Sequence, residues 1–381
     1  MTRADVFSIF AINKYKTERI PEVNYALIMA GGKGERFWPL SRTEKPKQLL
    51  KITSDKTMLE ETIERMEEFI PAERIRIITG QSMKTIICDI LPEIDSSHVW
   101  TEPFGRNTCL AIAYSALKLQ REDPEAIMVV LSSDHLIKPK EKLIDELKVA
   151  IEICQKGDYL ITLGITPTRP ESGYGYIETG DLFKVIEGIS VYSVSEFKEK
   201  PDRITAQQYY YGRKHLWNSG MFVWSARTIL DRIEKHMPAM WKDLKSIEDK
   251  LDTPQEDEAV KELYLNSENV SIDVAILEKA SPVLTVKAHL VWDDVGSWLA
   301  LDRIEQRDKD NNIIKGNVAN LGSFESIIYN ESDGLIATIG VTDLIIVKTD
   351  NIVMVAHKTQ INQLKKLLSG FHGDENLEKY L

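Results

Sequence analysis

The segment ALIMAGGKGERFWPLSR, residues 26–42, runs an apolar stretch into glycines at positions 31, 32 and 34 and then into a crowd of cations. Six Lys or Arg stand against two Glu between Gly31 and Lys51, in a chain whose formal net charge is −11. Glycine lets backbone N–H groups approach a ligand closely, and successive N–H groups can form a nest for an anion. Arg36 and Lys47 would add full charges, so the chemistry suggested is the holding of phosphate. Two familiar phosphate loops fail at defined positions. A dinucleotide fingerprint would need a third glycine where Phe37 stands, and a P-loop would need a glycine upstream of Gly32-Lys33 that is missing. What remains is a glycine nest backed by Arg36, Arg42, Lys45 and Lys47.

Such a nest has to be carried by regular elements. YALIMA, RIRIITG, AIMVVLSSDH and YLITLGI read as strands that are apolar along most of their length. TMLEETIERMEEFI has apolar residues at helical spacing, NTCLAIAYSALKLQ reads as a helix opened by Asn107 or Thr108, and EKLIDELKVAIEICQK reads as a packing helix. Apolar strands alternating with helices predict an α/β fold, a mixed, mostly parallel sheet covered on both faces. Ligands bind beyond the carboxyl ends of such strands. Gly31–Gly34, Glu102–Asn107 and Ser132–His135 all follow predicted strand ends, which places three distant segments on one rim. Beyond about residue 300, short β-rich runs broken by Gly, Asn and Asp predict a small β domain that could wind as a left-handed β-helix, followed by the helix TQINQLKKLL. The expected division is an extension over 1–23, a main domain over 24–306 and the β domain over 307–381, with the turn-rich RDKDNN at the junction.

Bulk properties exclude several classes. A sequence pI near 5.3 argues against a general nucleic-acid binder. No apolar run approaches the length of a membrane span, and the short run Val6–Ile12 lacks a cleavage site, so neither a membrane protein nor a secreted one is expected. Three widely spaced cysteines, Cys88, Cys109 and Cys154, suggest neither a disulfide framework nor a metal knuckle, and a cytoplasmic location is expected. HExxH and GxSxG are both absent, so zinc hydrolysis and serine hydrolysis have no support.

The same segments carry a resemblance. AGGKGERFWPLSR with KPKQLL, then TEPFGRNT, SSDH, GYGYIE, FKEKP, WNSGMF, SIDVAILEKA and WDDVGSW resemble, in order, the motifs of sugar-phosphate nucleotidyltransferases, specifically the mannose-1-phosphate guanylyltransferases. They span residues 25 to about 300, and the β tail is similar to the family's as well. Glu35, Ser132 and Cys109-Leu110 depart from the usual residues without removing a charge. The resemblance implies a Rossmann-like catalytic domain that joins mannose 1-phosphate to GTP, with Mg²⁺ as cofactor and a possible homodimer. It implies that Ala30, Gly31, Gly32 and Gly34 contact the nucleotide, that Arg36 and Lys47 neutralise the triphosphate, and that Asp134 and Asp294 hold the metal. Asp293 would instead cap or pair locally. It further implies that Gly175, Glu199, Lys200 and Asn218, with Glu178 as a weaker candidate, bind the sugar phosphate. Glu102 suits guanine, because a carboxylate can accept from both N1–H and the exocyclic amine, and Arg106 and Asn107 stand near for base or ribose. Two alternatives stay open: a same-fold enzyme for another sugar 1-phosphate or nucleotide, and a non-catalytic subunit that binds a nucleotide sugar. Against the second, Arg36, Lys47, Asp134, Lys200 and Asp294 are all present.

Overall fold

Residues 23–32 and 34–381 are described by a computed structural model. The expected extension over residues 1–23 therefore falls, except for Val23, outside the described residues. Ten strands, interspersed with helices, precede residue 290: β1 (Asn24–Ala30), β2 (Ile75–Gly80), β3 (Val99–Glu102), β4 (Ile127–Ser132), β5 (Leu136–Lys138), β6 (Leu160–Ile165), β7 (Tyr176–Ile186), β8 (Ile189–Lys198), β9 (His215–Ser225) and β10 (Val283–Ala288). All but β5 join one nine-stranded sheet in the order β3-β2-β1-β4-β9-β6-β10-β8-β7. The sheet is mixed. β1 is parallel to β2 and β4, β2 to β3, and β10 to β6, whereas β9 runs antiparallel between β4 and β6.

The period of two along each strand sorts side chains onto two cores. Ala26, Ile28 and Ala30 of β1 and Val129 and Leu131 of β4 face one core, which holds Leu59, Ile63 and Met66 and also Leu143 and Leu147 from two covering helices. Tyr25 and Leu27 face the other, with Met128 and Val130, under the helix Asn107–Glu122. The helix Met58–Glu67 begins where it does because Thr57 caps it reciprocally with Glu60. The Glu60 backbone N–H donates to Thr57 Oγ1 at 3.2 Å, and the Thr57 N–H donates to Glu60 Oε2 at 2.7 Å.

After β11 (Val291–Asp293) the chain enters a small β module. β12 (Ile313–Lys315), β14 (Ile327–Asn330) and β16 (Leu344–Lys348) stack in parallel, β13 (Val318–Leu321) pairs in parallel with β15 (Ile336–Ile339), and β17 (Val353–His357) closes antiparallel on β16. Strands alternating between two sheets make a short β-helix-like coil. The module does not stand apart. Ile327, Ile345 and Val347 share a core with Phe37, Trp38 and Leu40, which directly follow the glycine loop.

Candidate active site

β1 to β4 being parallel, Ala30, Gly80, Glu102 and Ser132 end on one rim. A second device brings in the far end of the sequence. β5 pairs antiparallel with β11, with Leu136 opposite Asp293, so that Asp134 and His135 lie across from the chain at Asp294.

The glycine loop is shaped by its neighbours. Gly34 has φ 64°, and a Cβ there would lie 2.5 Å from Lys47 Cβ and 2.9 Å from the Lys47 nitrogen. No side chain fits, so this glycine is required for the approach of the lysine segment as much as for any ligand. Ser41 Oγ donates to the Gly34 carbonyl at 2.6 Å. The Ala30 carbonyl accepts from Gln48 Nε2 at 3.0 Å and from Thr79 Oγ1 at 2.8 Å, which ties the loop's start to the segment that carries Lys47. Ala30 itself is fully buried.

Lys47 is the hub. Its side chain is buried, and Nζ donates to Asp134 Oδ2 at 2.7 Å and to the Asp294 carbonyl at 2.6 Å. Burial alone would raise the Asp134 carboxyl, but the Lys47 ammonium and His135 outweigh it and hold the carboxyl below its usual range. Arg36 is exposed and lines a cavity of about 170 Å³ with Gly31, Gly32, Gly34, Lys47 and Asp134. The other cations predicted to crowd this loop point elsewhere. Arg42 donates to Thr349 Oγ1 at 3.2 Å and to Asn351 Oδ1 at 2.7 Å, and Lys45 pairs with Glu331 at 2.7 Å. Both fasten the β module to the loop, so of these four cations only Arg36 and Lys47 line the cavity.

The turn at WDDVGSW separates its two aspartates. Asp293 is buried and forms a two-pronged pair with Arg303, at 2.6 and 2.8 Å, while its Oδ1 also accepts from the Val295 N–H at 2.8 Å. Val295 is fully buried at φ 45°, a left-handed conformation that costs a β-branched residue and persists because these bonds over-determine it. Asp294 Oδ1 accepts from the Tyr174 hydroxyl at 2.9 Å and from the Gly296 N–H at 3.1 Å. A Cβ at Gly296 would sit 2.6 Å from Asp294 Oδ2, so glycine there lets the carboxylate fold back.

These groups fit Mg²⁺ as a donor set. Mg²⁺ takes oxygen ligands, and commonly one or two carboxylates completed by phosphate oxygens and water. Asp134 Oδ1 and Asp294 Oδ2 accept no hydrogen bond from described residues, and Lys47 shows that a cation is already welcome at Asp134. Among the described residues no group of three or more His, Cys, Asp and Glu converges, so no all-protein cage competes.

Beside the glycine loop a cavity of about 520 Å³ is lined by Gly31, Gly32, Glu102, Asn107, Ser132 and Asp134 among others. Burial pushes the Glu102 carboxyl up to about 7. Its Oε1 is buried without a hydrogen-bond donor, and the neighbouring Tyr264 hydroxyl only partly offsets the effect of burial on the carboxyl. Asn107 opens its helix at φ 64° with Oδ1 accepting from the Thr108 N–H. Arg106 does not line this cavity. Its guanidinium donates to the Tyr264 carbonyl at 2.9 Å and the Leu265 carbonyl at 3.4 Å, capping the carboxyl end of the helix Glu256–Asn266.

On the other side of Asp294, four segments meet. The Asn218 N–H donates to the Gly175 carbonyl at 2.8 Å, and a Cβ on Gly175 would lie 3.1 Å from Glu199 Oε2. Lys200 is exposed and pairs with Glu199 at 2.6 Å. Glu178 is not brought to this group. It lies opposite Glu196 and His215 in the ladders, one register step from Ile177 and three from Gly175, which turns its side chain to the opposite face of the sheet. Two residues here escaped the sequence reading. Tyr174 reaches Asp294, and Asp273 accepts from Asn218 Nδ2 at 2.7 Å. The only signals were a tyrosine adjoining Gly175 and a lone acid in the apolar run IDVAIL.

The chain matches the family model described as nucleotidyl transferase over residues 25–311, and that of a MannoseP isomerase/GMP-like beta-helix domain over residues 316–370. It is 34% identical to the mannose-1-phosphate guanylyltransferase of Escherichia coli K12, over 92% of this chain and 74% of that one. It is 36% identical to that of Salmonella montevideo, over 90% and 72%. Among solved structures, a protein from Thermus thermophilus described as a mannose-1-phosphate geranyltransferase superposes with a TM-score of 0.81 and 32% identity, over 91% of this chain and 99% of that one.

Proposed function

The chain belongs to the nucleotidyl transferase family and, within it, to the mannose-1-phosphate guanylyltransferases, and from that premise we propose that its rim cleft transfers GMP from GTP to α-D-mannose 1-phosphate. A phosphate oxygen of the sugar phosphate attacks the α-phosphorus in line, a new P–O bond forms, the bond to the β-phosphate oxygen breaks, and pyrophosphate leaves. The nucleophile is already an anion, so the task is to gather negative charges and hold them aligned. The observation that carries this reading is Lys47, whose backbone and Cβ pack on Gly34 of the glycine loop while its ammonium joins the Asp134 carboxylate to the Asp294 carbonyl.

The glycine loop presents N–H groups to the triphosphate, Lys47 acts as a point charge beside it, and Arg36 can fork two oxygens from the cleft mouth. Glu102 accepts from guanine in the adjoining cavity, with Asn107 at its edge. Lys200 turns from Glu199 to the sugar's phosphate, while Glu199 and Asn218 stay with the ring. Asp134 and Asp294 would hold Mg²⁺, which supplies charge neutralisation on the phosphate oxygens. Tyr174 keeps the Asp294 carboxylate oriented from behind.

We place the enzyme in the cytoplasm, with small-molecule partners rather than nucleic acid and with a homodimer as its assembly. In support, Cys88, Cys109 and Cys154 are unpaired, and no described helix is long and apolar enough to cross a membrane. The test is pyrophosphate release from a matrix of nucleoside triphosphates and sugar 1-phosphates, with and without Mg²⁺. GTP with mannose 1-phosphate should give the highest kcat/KM, and only with the metal. A preference for another pair would replace the substrate assignment, and no release from any pair would favour a non-catalytic nucleotide-sugar binder.

A further inference from the structure

On the reading that this cleft takes a sugar phosphate, we infer that Asp273 contacts the sugar ring directly, as a second carboxylate beside Glu199 that also sets the Asn218 amide. Asp273 opens a wide π-helical turn, Asp273–Leu277, in which the Glu278 N–H donates to the Asp273 carbonyl at 2.9 Å. Single π turns inserted in helical segments recur at functional sites, because the extra residue re-aims a side chain. Here Ala275, Ile276 and Leu277 are anchored in the core, and the N–H of buried Ile272 donates to Thr108 Oγ1 at 2.9 Å. The turn is therefore fixed on its core side, beside the start of the helix that borders the base cavity.

The amide of Asn218 is committed at both ends. Nδ2 donates to Asp273 Oδ1 at 2.7 Å, and Oδ1 accepts from the Gly220 N–H at 3.3 Å. Asp273 keeps more in reserve. It is half-buried, and its Oδ2 accepts no hydrogen bond from any other described residue. Burial raises its carboxyl, and Glu199 raises it further, which places the two acids within electrostatic reach of each other. Gly175, whose Cβ position is 3.1 Å from Glu199 Oε2 and 3.8 Å from Asn218 Nδ2, leaves the space between them open.

An ionised carboxylate only accepts hydrogen bonds. Two carboxylates flanking an amide therefore suit neighbouring hydroxyls of a pyranose, which donate, and reject the sugar's phosphate. The phosphate is left to Lys200 and the ring falls between Asp273 and Glu199, which orients the substrate toward the glycine loop.

The test crosses Asp273 variants with deoxy analogues of mannose 1-phosphate. Asp273→Asn keeps an oxygen for Asn218 but loses the charge, and Asp273→Ala loses both. Asp273→Asn should raise KM for mannose 1-phosphate by about tenfold or more, as expected for a hydrogen bond to a charged group, with KM for GTP unchanged. One deoxy analogue should be penalised with wild type and hardly penalised with Asp273→Asn, because the variant has already lost that contact. Full penalties for every analogue in the variant, or an unchanged KM for the sugar phosphate in both variants, would overturn the inference. A wild-type enzyme that ignores mannose 1-phosphate would instead refute the substrate assignment. The same cycle, run with the sugar 1-phosphate it does accept, would still decide the role of Asp273.

Discussion

Replacing Glu102 by Gln separates the base-reading role of this acid from its cost to the fold. The residue is 8% exposed, and its carboxyl is pushed by burial from 4.5 up to about 7. Guanine offers two N–H donors that need the ionised form, so a free enzyme near or below pH 7 must first release a proton from Glu102. For a group of pKa about 7, the ionised fraction at pH 6 is about one tenth, and kcat/KM for GTP should fall roughly tenfold from its value at high pH. GTP and the sugar phosphate titrate in the same range, so the readout is the ratio of wild type to Glu102→Gln across pH 5.5–8.5. Those ligand effects cancel in the ratio and the Glu102 limb remains. At pH 8 the variant should lose about one to two orders of magnitude with GTP, the loss of charge-assisted hydrogen bonds. Stability should move the other way. A carboxyl whose pKa is raised in the folded state stabilises the fold fully below about pH 4.5, and that contribution is lost as pH rises through about 7. Glu102→Gln should then be more stable than wild type at pH 8 by up to about 3 kcal/mol, and little different near pH 4.5. Glu146 provides the control. Burial also lifts it to about 7, but its Oε1 accepts from the His289 N–H, away from the cleft. Glu146→Gln should share the stability trend and leave GTP use alone. A wild-type to Glu102→Gln ratio that is flat across pH, or equal losses with GTP, UTP and dTTP, would refute the reasoning.

Three other perturbations follow from the contacts. Gly34→Ala should lower kcat at least about tenfold without unfolding the protein, since the added methyl displaces Lys47 at a left-handed position; unchanged steady-state kinetics would show that the loop can shift freely. Tyr174→Phe should weaken Mn²⁺ binding in the presence of GTP by about 10- to 100-fold, measured by electron paramagnetic resonance, as expected when a partner orienting a metal carboxylate is lost; unaltered affinity would show that Asp294 needs no such support. Arg106→Met should cost about 1 kcal/mol in chemical denaturation with KM for GTP within about twofold, since the guanidinium caps helix carbonyls; a large rise in KM would return Arg106 to the nucleotide.

How far the residues reveal the site depends on whether the signal is local. The glycine loop was legible because glycine and charge within a dozen residues state their own purpose. The strands β1, β2, β4 and β6 were legible because buried strands are apolar along their length. β7 and β8 were not. YIETGDLFKVI leaves a continuous run, residues 181–185, exposed, ISVYSVSEFK is mostly half-buried, and register shifts break their pairing, so neither shows the apolar run of a buried strand or a clean alternation. Charge type could not tell direction. Arg42 and Lys45 share the loop's basic stretch with Lys47, yet the shared core of Phe37, Trp38 and the β module turns them to Asn351 and Glu331. Glu178 shows the same limit in strand form, since its face depends on a register that only pairing with β8 and β9 sets. Tyr174 and Asp273 act through residues more than fifty positions away. Proximity of that kind is a property of topology, here the β5–β11 pair and the turn beside Thr108.

The most direct test of the cleft as a metal-assisted transferase is turnover of Asp134→Asn and Asp294→Asn at saturating GTP, mannose 1-phosphate and Mg²⁺. Each isosteric change removes one of the two carboxylate charges that would hold the metal, and kcat for pyrophosphate release should fall by about a hundredfold or more in both. Either variant turning over within about threefold of wild type would contradict the account, because an electrostatic site of this kind cannot lose half of its paired charge at so small a cost.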